Sequence, residues 1–215
     1  VFEGFIKAAV TAIDQRDPTT SGHSVRVTAL TCDLAQAAHD ASEGPYKDVF
    51  FSREEMKQLR YAGLLHDFGK VGVREEVLVK MNKLTPVLET RVLARFDYIQ
   101  KWMEAENERK KNEVLLTQGK DGFEVQRQVF DRELAQGLGR LEAYRSAILE
   151  ANQPRVLAEE AAGILQEIAE STFIGPDGNE HTYLTEDELH YLRIPRGSLD
   201  SEERKQIESH VTNTM

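Results

Sequence analysis

Leu64-Leu65-His66-Asp67-Phe68-Gly69-Lys70-Val71-Gly72-Val73 is the stretch from which the rest of the chain is read. An apolar helical approach through Leu59, Ala62, Gly63 and Leu65 delivers an adjacent imidazole and carboxylate, and two glycines and a lysine follow at once. That combination suits a metal ion and a phosphate. Consecutive side chains on a helix point about 100° apart, so His66 and Asp67 reach one ion only at the helix flank, with further ligands coming from elsewhere. Gly69 permits close backbone approach, and Lys70 is a mobile point charge suited to a phosphate.

The first partner lies upstream, in Asp17-Pro18-Thr19-Thr20-Ser21-Gly22-His23-Ser24-Val25-Arg26-Val27. Taken together, His23, His66-Asp67 and Gly69-Lys70 resemble the HD superfamily of metal-dependent phosphohydrolases. The finer resemblance is to its HD-GYP branch, through Arg16-Asp17-Pro18-x-Thr20-x-x-His23-Ser24-x-Arg26-Val27, Ala62-Gly63-Leu64-Leu65-His66-Asp67-x-Gly69-Lys70-x-Gly72-Val73 and Lys83-Leu84-Thr85. The resemblance implies an all-α domain, a helical bundle that hydrolyses cyclic di-GMP at a two- or three-metal centre.

The chain of 215 residues carries a single cysteine, Cys32. A core of this size needs no disulfide staple, and one thiol cannot make an internal bridge, which suits a reducing cytoplasm. Cys32 reads as a small core residue on the helix after His23. No apolar run approaches the ~18 residues of a membrane span, and no signal peptide opens the sequence. A net charge of −10 and a pI near 5.2 argue against a nucleic-acid surface, because phosphate backbones need clustered Lys and Arg. An acidic protein still binds a small anion where metals supply the local positive charge. The start at Val1 and the end at Met215 inside a continuing helix read as a piece of a longer chain, with a sensor domain expected elsewhere.

Phe2, Phe5, Ile6, Ala9, Val10 and Ile13 recur at helical spacing, and Asp17-Pro18 ends that helix. The next is expected to start near Thr19–Ser21 and to carry His23, Val27, Leu30, Leu34 and Ala38. Gly44-Pro45 breaks it. Ser52-x-x-Glu55 is a capping box opening the helix that ends at His66-Asp67, and Thr185-x-x-Glu188 and Asp200-x-x-Glu203 cap two more. Phe173 to Tyr183 has turn chemistry between short apolar runs, the mark of a small β-hairpin. His39, His181 and His190 lack ligand context and read as structural or exposed.

Between residues 85 and 194 the resemblance stops. The family's next metal histidine would fall near Arg95, whereas a second passage similar to Lys83-Leu84-Thr85, running Arg196-Gly197-Ser198-Leu199-Asp200-Ser201-Glu202-Glu203, leads to His210 at the equivalent offset. The family role is therefore carried to His210, and the chain between reads as an insertion. Within it Phe96, Ile99 and Met103, then Leu134, Leu138, Leu141 and Ile148, then Leu157, Ala161, Ile164 and Ile168 keep helical register. Gly119-Lys120-Asp121-Gly122 and Pro154 separate these segments, giving two or three helices in an antiparallel, coiled-coil-like hairpin. Such an arm fits a homodimer or partner contact and fits an elaborated surface helix pair equally. The expected organisation is HD domain 1–95, helical insertion 96–171, connecting hairpin and short helix 172–193, and HD continuation 194–215.

The resemblance also implies a mechanism. Asp67 bridges two divalent ions, iron, manganese or zinc; His23 and His66 ligate one and His210 the other. Lys70 neutralises charge on the phosphate of a cyclic dinucleotide. Thr19 stands where trinuclear members carry a glutamate ligand, which favours two ions over three. The sequence stops before the family's paired histidines, closing aspartate and Gly-Tyr-Pro segment. Two other readings remain: a catalytically inactive regulatory or scaffold module, and an HD phosphohydrolase acting on another nucleotide.

Overall fold

The computed structural model describes residues 2–17 and 22–214. Eight α-helices and one two-stranded sheet are described, so the fold is all-α with a single β-hairpin. The chain divides into two compact units, one comprising the residues up to Val79 with the C-terminal segment from Ser201, the other Lys80–Asp200. Among the described residues, no helix is long and apolar enough to cross a membrane.

The first unit contains α1 (Phe2–Arg16), α2 (His23–His39), α3 (Arg53–Leu65), a 3₁₀ turn (Phe68–Gly72), the single-turn α4 (Glu75–Leu78) and α8 (Ser201–Thr214). Ile6, Val10 and Ile13 form the buried stripe of α1, which lies against α3 and the 3₁₀ turn. Each such side chain contributes about 1.5–3 kcal/mol on full burial. Phe5, on the same expected stripe, is exposed. The capping box at α3 forms as expected: Ser52 Oγ accepts from the Glu55 backbone N–H at 3.3 Å, and Glu55 accepts from the Ser52 N–H at 2.7 Å.

The expected apolar face of α2 needs correction. Leu30 and Leu34 are exposed and Cys32 is half-buried, while Ser24, Thr28 and Ala35 are the buried residues. Small side chains let α2 and α3 approach closely. A Cβ on Gly63 would lie 2.7 Å from Thr28 Oγ1 and 3.2 Å from its Cα, so the contact excludes larger residues at both positions. Helix α2 begins at His23 behind Gly22, whose left-handed backbone (φ 68°) suits glycine. The expected start at Thr19–Ser21 lies outside the described residues.

The second unit is built on α5, a helical span Pro86–Ala151 broken at Gly119, where φ 72° and ψ −170° lie in a region open essentially only to glycine. Thr85 caps it and Pro86 occupies its first turn. The two arms run antiparallel, as the ion pairs Arg145–Asp97 (2.7 Å) and Lys111–Asp131 (2.6 Å) require. Phe96, Ile99, Leu141, Tyr144 and Ile148 from the arms form one core with Leu165 and Ile168 of α6 (Glu159–Glu170) and Leu192 of α7 (Glu186–Leu192). On α6 Leu165 and Ile168 are buried, whereas the expected Ile164 is exposed. Strands β1 (Thr172–Ile174) and β2 (Glu180–Thr182) pair antiparallel with Phe173 opposite His181. The Thr185–Glu188 capping box then opens α7.

Candidate metal centre

Helix α3 ends at Leu65, leaving His66 as its C-cap and Asp67 already outside helical geometry (φ −97°, ψ 6°). The pair therefore sits at a helix terminus and not on a helix flank. This change of direction lets both side chains face one point: His66 Nε2 lies 3.5 Å from Asp67 Oδ1. His66 Nδ1 is 2.7 Å from the carbonyl oxygen of Gly63. A carbonyl can only accept, so Nδ1 carries a proton; in the neutral imidazole the lone pair is then on Nε2, the atom that faces Asp67.

His210 repeats this device from α8. Its Nδ1 donates to the carbonyl of Ile207 one turn back, and its Nε2 stands 3.6 Å from the same Asp67 Oδ1. His23, the first residue of α2, closes the other side. Its ring lies edge-on to His66 at 5.5 Å between centroids, and the donor atoms of His23, His66 and Asp67 all fall within 4.8 Å of one another. With both imidazoles neutral, the Nε2 lone pairs of His66 and His210 and the Asp67 oxygen form a cluster of acceptors. A cation suits such a cluster, so the donor set of His23, His66 and Asp67 fits a metal ion.

The second oxygen of Asp67 is occupied. Lys70, on the 3₁₀ turn, donates to Asp67 Oδ2 at 2.8 Å and to Asp17 Oδ2 at 3.0 Å. Burial works to lower the Lys70 pKa, but hydrogen bonds to the two carboxylates outweigh it and hold the ammonium above its ordinary value. Asp17 is itself buried. Its neighbour Arg16 forks across the turn, donating to the carbonyls of Val71 at 2.6 Å and Val73 at 2.8 Å. The dipeptide at the end of α1 thus grips both the backbone of the turn and the side chain it presents.

Gly69 has a specific reason to be glycine. Its N–H donates to Thr214 Oγ1 at 2.8 Å, Thr214 Oγ1 donates to the His210 carbonyl at 2.8 Å, and a Cβ at Gly69 would collide with that carbonyl. The close approach is to the backbone of α8, which it seats so that His210 reaches Asp67.

The structure thus brings together His23, His66, Asp67, Lys70 and His210. Thr19 lies outside the described residues. Arg95 belongs to the second unit, where it makes a two-point ion pair with buried Glu188 (2.6 and 3.0 Å) and donates to the Tyr183 carbonyl. His39 Nδ1 accepts from the Phe51 N–H, His181 pairs with Asp177, and His190 faces Asp200 at 3.5 Å. Sequence reasoning gave no site role to Asp17, Arg16 or Thr214. Arg16 and Asp17 fall inside the motif quoted above, and Thr214 is one helical turn beyond His210; those were the available signals.

Over 84 residues the chain is 34% identical to a probable cyclic di-GMP phosphodiesterase of Vibrio cholerae, covering 39% of this chain and 18% of that protein. Over 86 residues it is 34% identical to the 3'3'-cGAMP-specific phosphodiesterase 3 of the same organism, covering 38% and 16%. The chain therefore spans less than a fifth of the length of these curated relatives. No solved structure matches it. The HD domain family profile matches residues 20–210, running from before His23 through His66-Asp67 to His210, and the chain belongs to the HD domain family.

Proposed function

We propose that this chain carries a metal-dependent phosphodiesterase centre acting on cyclic dinucleotides, with cyclic di-GMP as the leading substrate. The observation that supports it most is the convergence of His66 Nε2 and His210 Nε2 on one oxygen of Asp67, with His23 alongside. In this reading His23, His66 and Asp67 would hold one divalent ion, and His210, beside Asp67, would help to hold a second. Bound ions of this kind supply Lewis acidity to a phosphate and make a nearby water more acidic.

The protein's own residues supply the remaining requirements. Carbonyls of Gly63 and Ile207 fix the tautomers of His66 and His210, so the Nε2 lone pairs are aimed before any ion arrives. Lys70 has two anchors. It can leave Asp67 Oδ2 for a phosphate oxygen while Asp17 keeps its ammonium in place, freeing the second Asp67 oxygen at the same moment. The net reaction adds water across one phosphodiester P–O bond and releases a linear dinucleotide.

The two relatives bear the names of different cyclic dinucleotides, so the base is the open part of the assignment. The test is hydrolysis of cyclic di-GMP and 3'3'-cGAMP by the purified chain with ferrous or manganous ion, followed by chromatography of the products. Cleavage of either that disappears in Asp67→Asn supports the proposal. Cleavage of neither, by a chain shown to hold metal, favours the regulatory reading.

A further inference from the structure

The second unit contains a pocket that the metal centre does not use. It opens between the two arms of α5 and the β-hairpin, with a volume of about 270 Å³. That volume accommodates a ligand of roughly one ring, just under the lower end of the usual range for small-molecule sites. Its walls are aromatic: Trp102 from the first arm, Phe130 from the second, Phe173 and Tyr183 from the hairpin. The two hairpin rings are braced. Phe173 packs edge-on to Tyr183 at 5.7 Å, and Tyr183 edge-on to Phe96 at 5.9 Å and Tyr144 at 6.0 Å. The hairpin wall therefore packs against the core of the unit.

Three charged residues line the same pocket: Glu106, Lys110 and Glu133. A hydrogen bond from Arg109 holds the Glu106 carboxyl below its ordinary range, so it stays ionised. Arg109 is ion-paired with Glu106 at 2.7 Å, so the other charges of the lining are Lys110 and the exposed Glu133. Aromatic faces attract cations through their quadrupole, and the Glu133 carboxylate of the lining offers such a cation a counter-charge. Buried Asn107 also lines the pocket; with its amide turned to satisfy both atoms it donates to the Phe130 carbonyl of the opposite arm at 3.1 Å.

We propose that this pocket binds a small organic cation with an apolar body, such as a primary or quaternary amine. The aromatic walls enclose the body, and Glu133 at the exposed rim faces the charge. The site does not depend on the phosphodiesterase reading, and its test leaves that reading untouched.

Trp102 is the chain's single tryptophan, so its fluorescence reports occupancy of this pocket directly. The experiment titrates the full chain with choline and, separately, with 3,3-dimethyl-1-butanol, which has the same shape without the charge. Expected is a saturable change in Trp102 emission with choline, and binding of the neutral alcohol about tenfold weaker, the size of a partly desolvated cation–π contact. Glu133→Gln, a substitution at an exposed position, should weaken choline several-fold and leave the alcohol unchanged. No saturable response to choline, equal affinity for both probes, or indifference of choline to Glu133→Gln would each overturn the proposal.

Discussion

Gly69 and His210 meet backbone to backbone: a Cβ at Gly69 would collide with the His210 carbonyl and lie 2.7 Å from Thr214 Oγ1. The residue that follows the His-Asp pair by two positions thereby sets the place of a histidine at the far end of the sequence. Replacing Gly69 with alanine must push α8 outward. Gly69→Ala is expected to cost about 1–3 kcal/mol of stability, as overpacking does, and to weaken metal binding several-fold more than Gly4→Ala, where a Cβ meets nothing. Denaturant unfolding and a metal titration check both parts.

Lys70 between Asp17 and Asp67 forms a buried three-charge cluster. Lys70→Met leaves two carboxylates facing each other and should cost about 3–5 kcal/mol, the usual penalty for stranding buried charge. Asp17→Asn leaves the lysine one full partner and should cost less. The double variant should be more stable than the two single losses predict, and a double-mutant cycle in urea measures that coupling. Additivity would show that the cluster is not energetically joined.

Much of this arrangement could be read from the sequence, and the rest has a physical explanation. His66-Asp67 and the capping boxes at Ser52 and Thr185 are local patterns, legible because capping and helix-end chemistry lie within three or four residues. His210 was singled out for another reason: the passage before it is similar to the one at Lys83-Leu84-Thr85, and its Nε2 lies 3.6 Å from Asp67 Oδ1. The glycine break at Gly119 and the antiparallel arms followed from turn residues between two apolar registers. Asp17 was not placed on Lys70, because no periodicity links a lysine to a carboxylate 53 positions away. Nor did apolar spacing show that α2 would pack through Ser24 and Thr28 while Leu30 and Leu34 face outward. Close packing at Gly63 chose the small residues, and a count of apolar positions cannot see that.

Arg95 and Glu188 give the second unit a pH signature. Burial tends to raise the Glu188 pKa, but hydrogen bonds from Arg95 and the Thr185 backbone outweigh it and hold the carboxyl below its ordinary 4.5. A depressed folded-state pKa stabilises above the ordinary value, and that stability is lost as pH falls through the lower one. Glu188→Gln should cost about 3 kcal/mol at pH 7 by leaving Arg95 without its charge partner. The difference between the two proteins should shrink below pH 4.5. Urea unfolding at several pH values reads it, and a difference that stays constant into acid would refute the pairing.

Lys83 behaves in the opposite sense. It is 1% exposed, and its ammonium donates to the Leu192 carbonyl at 3.2 Å. Burial lowers its pKa from the ordinary 10.5. Between the folded and unfolded values the unfolded chain binds more protons, so this group adds stability as pH rises. Lys83→Met, close in volume and uncharged, is expected to be neutral or stabilising by about 1 kcal/mol at pH 7. Its advantage should fade toward pH 10.5. Clear destabilisation at neutral pH would mean the bond to Leu192 outweighs the burial of charge.

The central claim is that His23, His66, Asp67 and His210, from both ends of the chain, make one metal centre. Metal content by plasma mass spectrometry, on the purified chain and on Asp67→Ala and His210→Ala, tests it most directly. The account predicts about two iron, manganese or zinc ions per chain, as a two-metal site requires. It also predicts loss of most metal in Asp67→Ala, partial loss in His210→Ala, and unchanged helical circular dichroism in both. Undiminished metal in the Asp67→Ala protein, or none in the parent chain after incubation with manganous or ferrous ion, would contradict it.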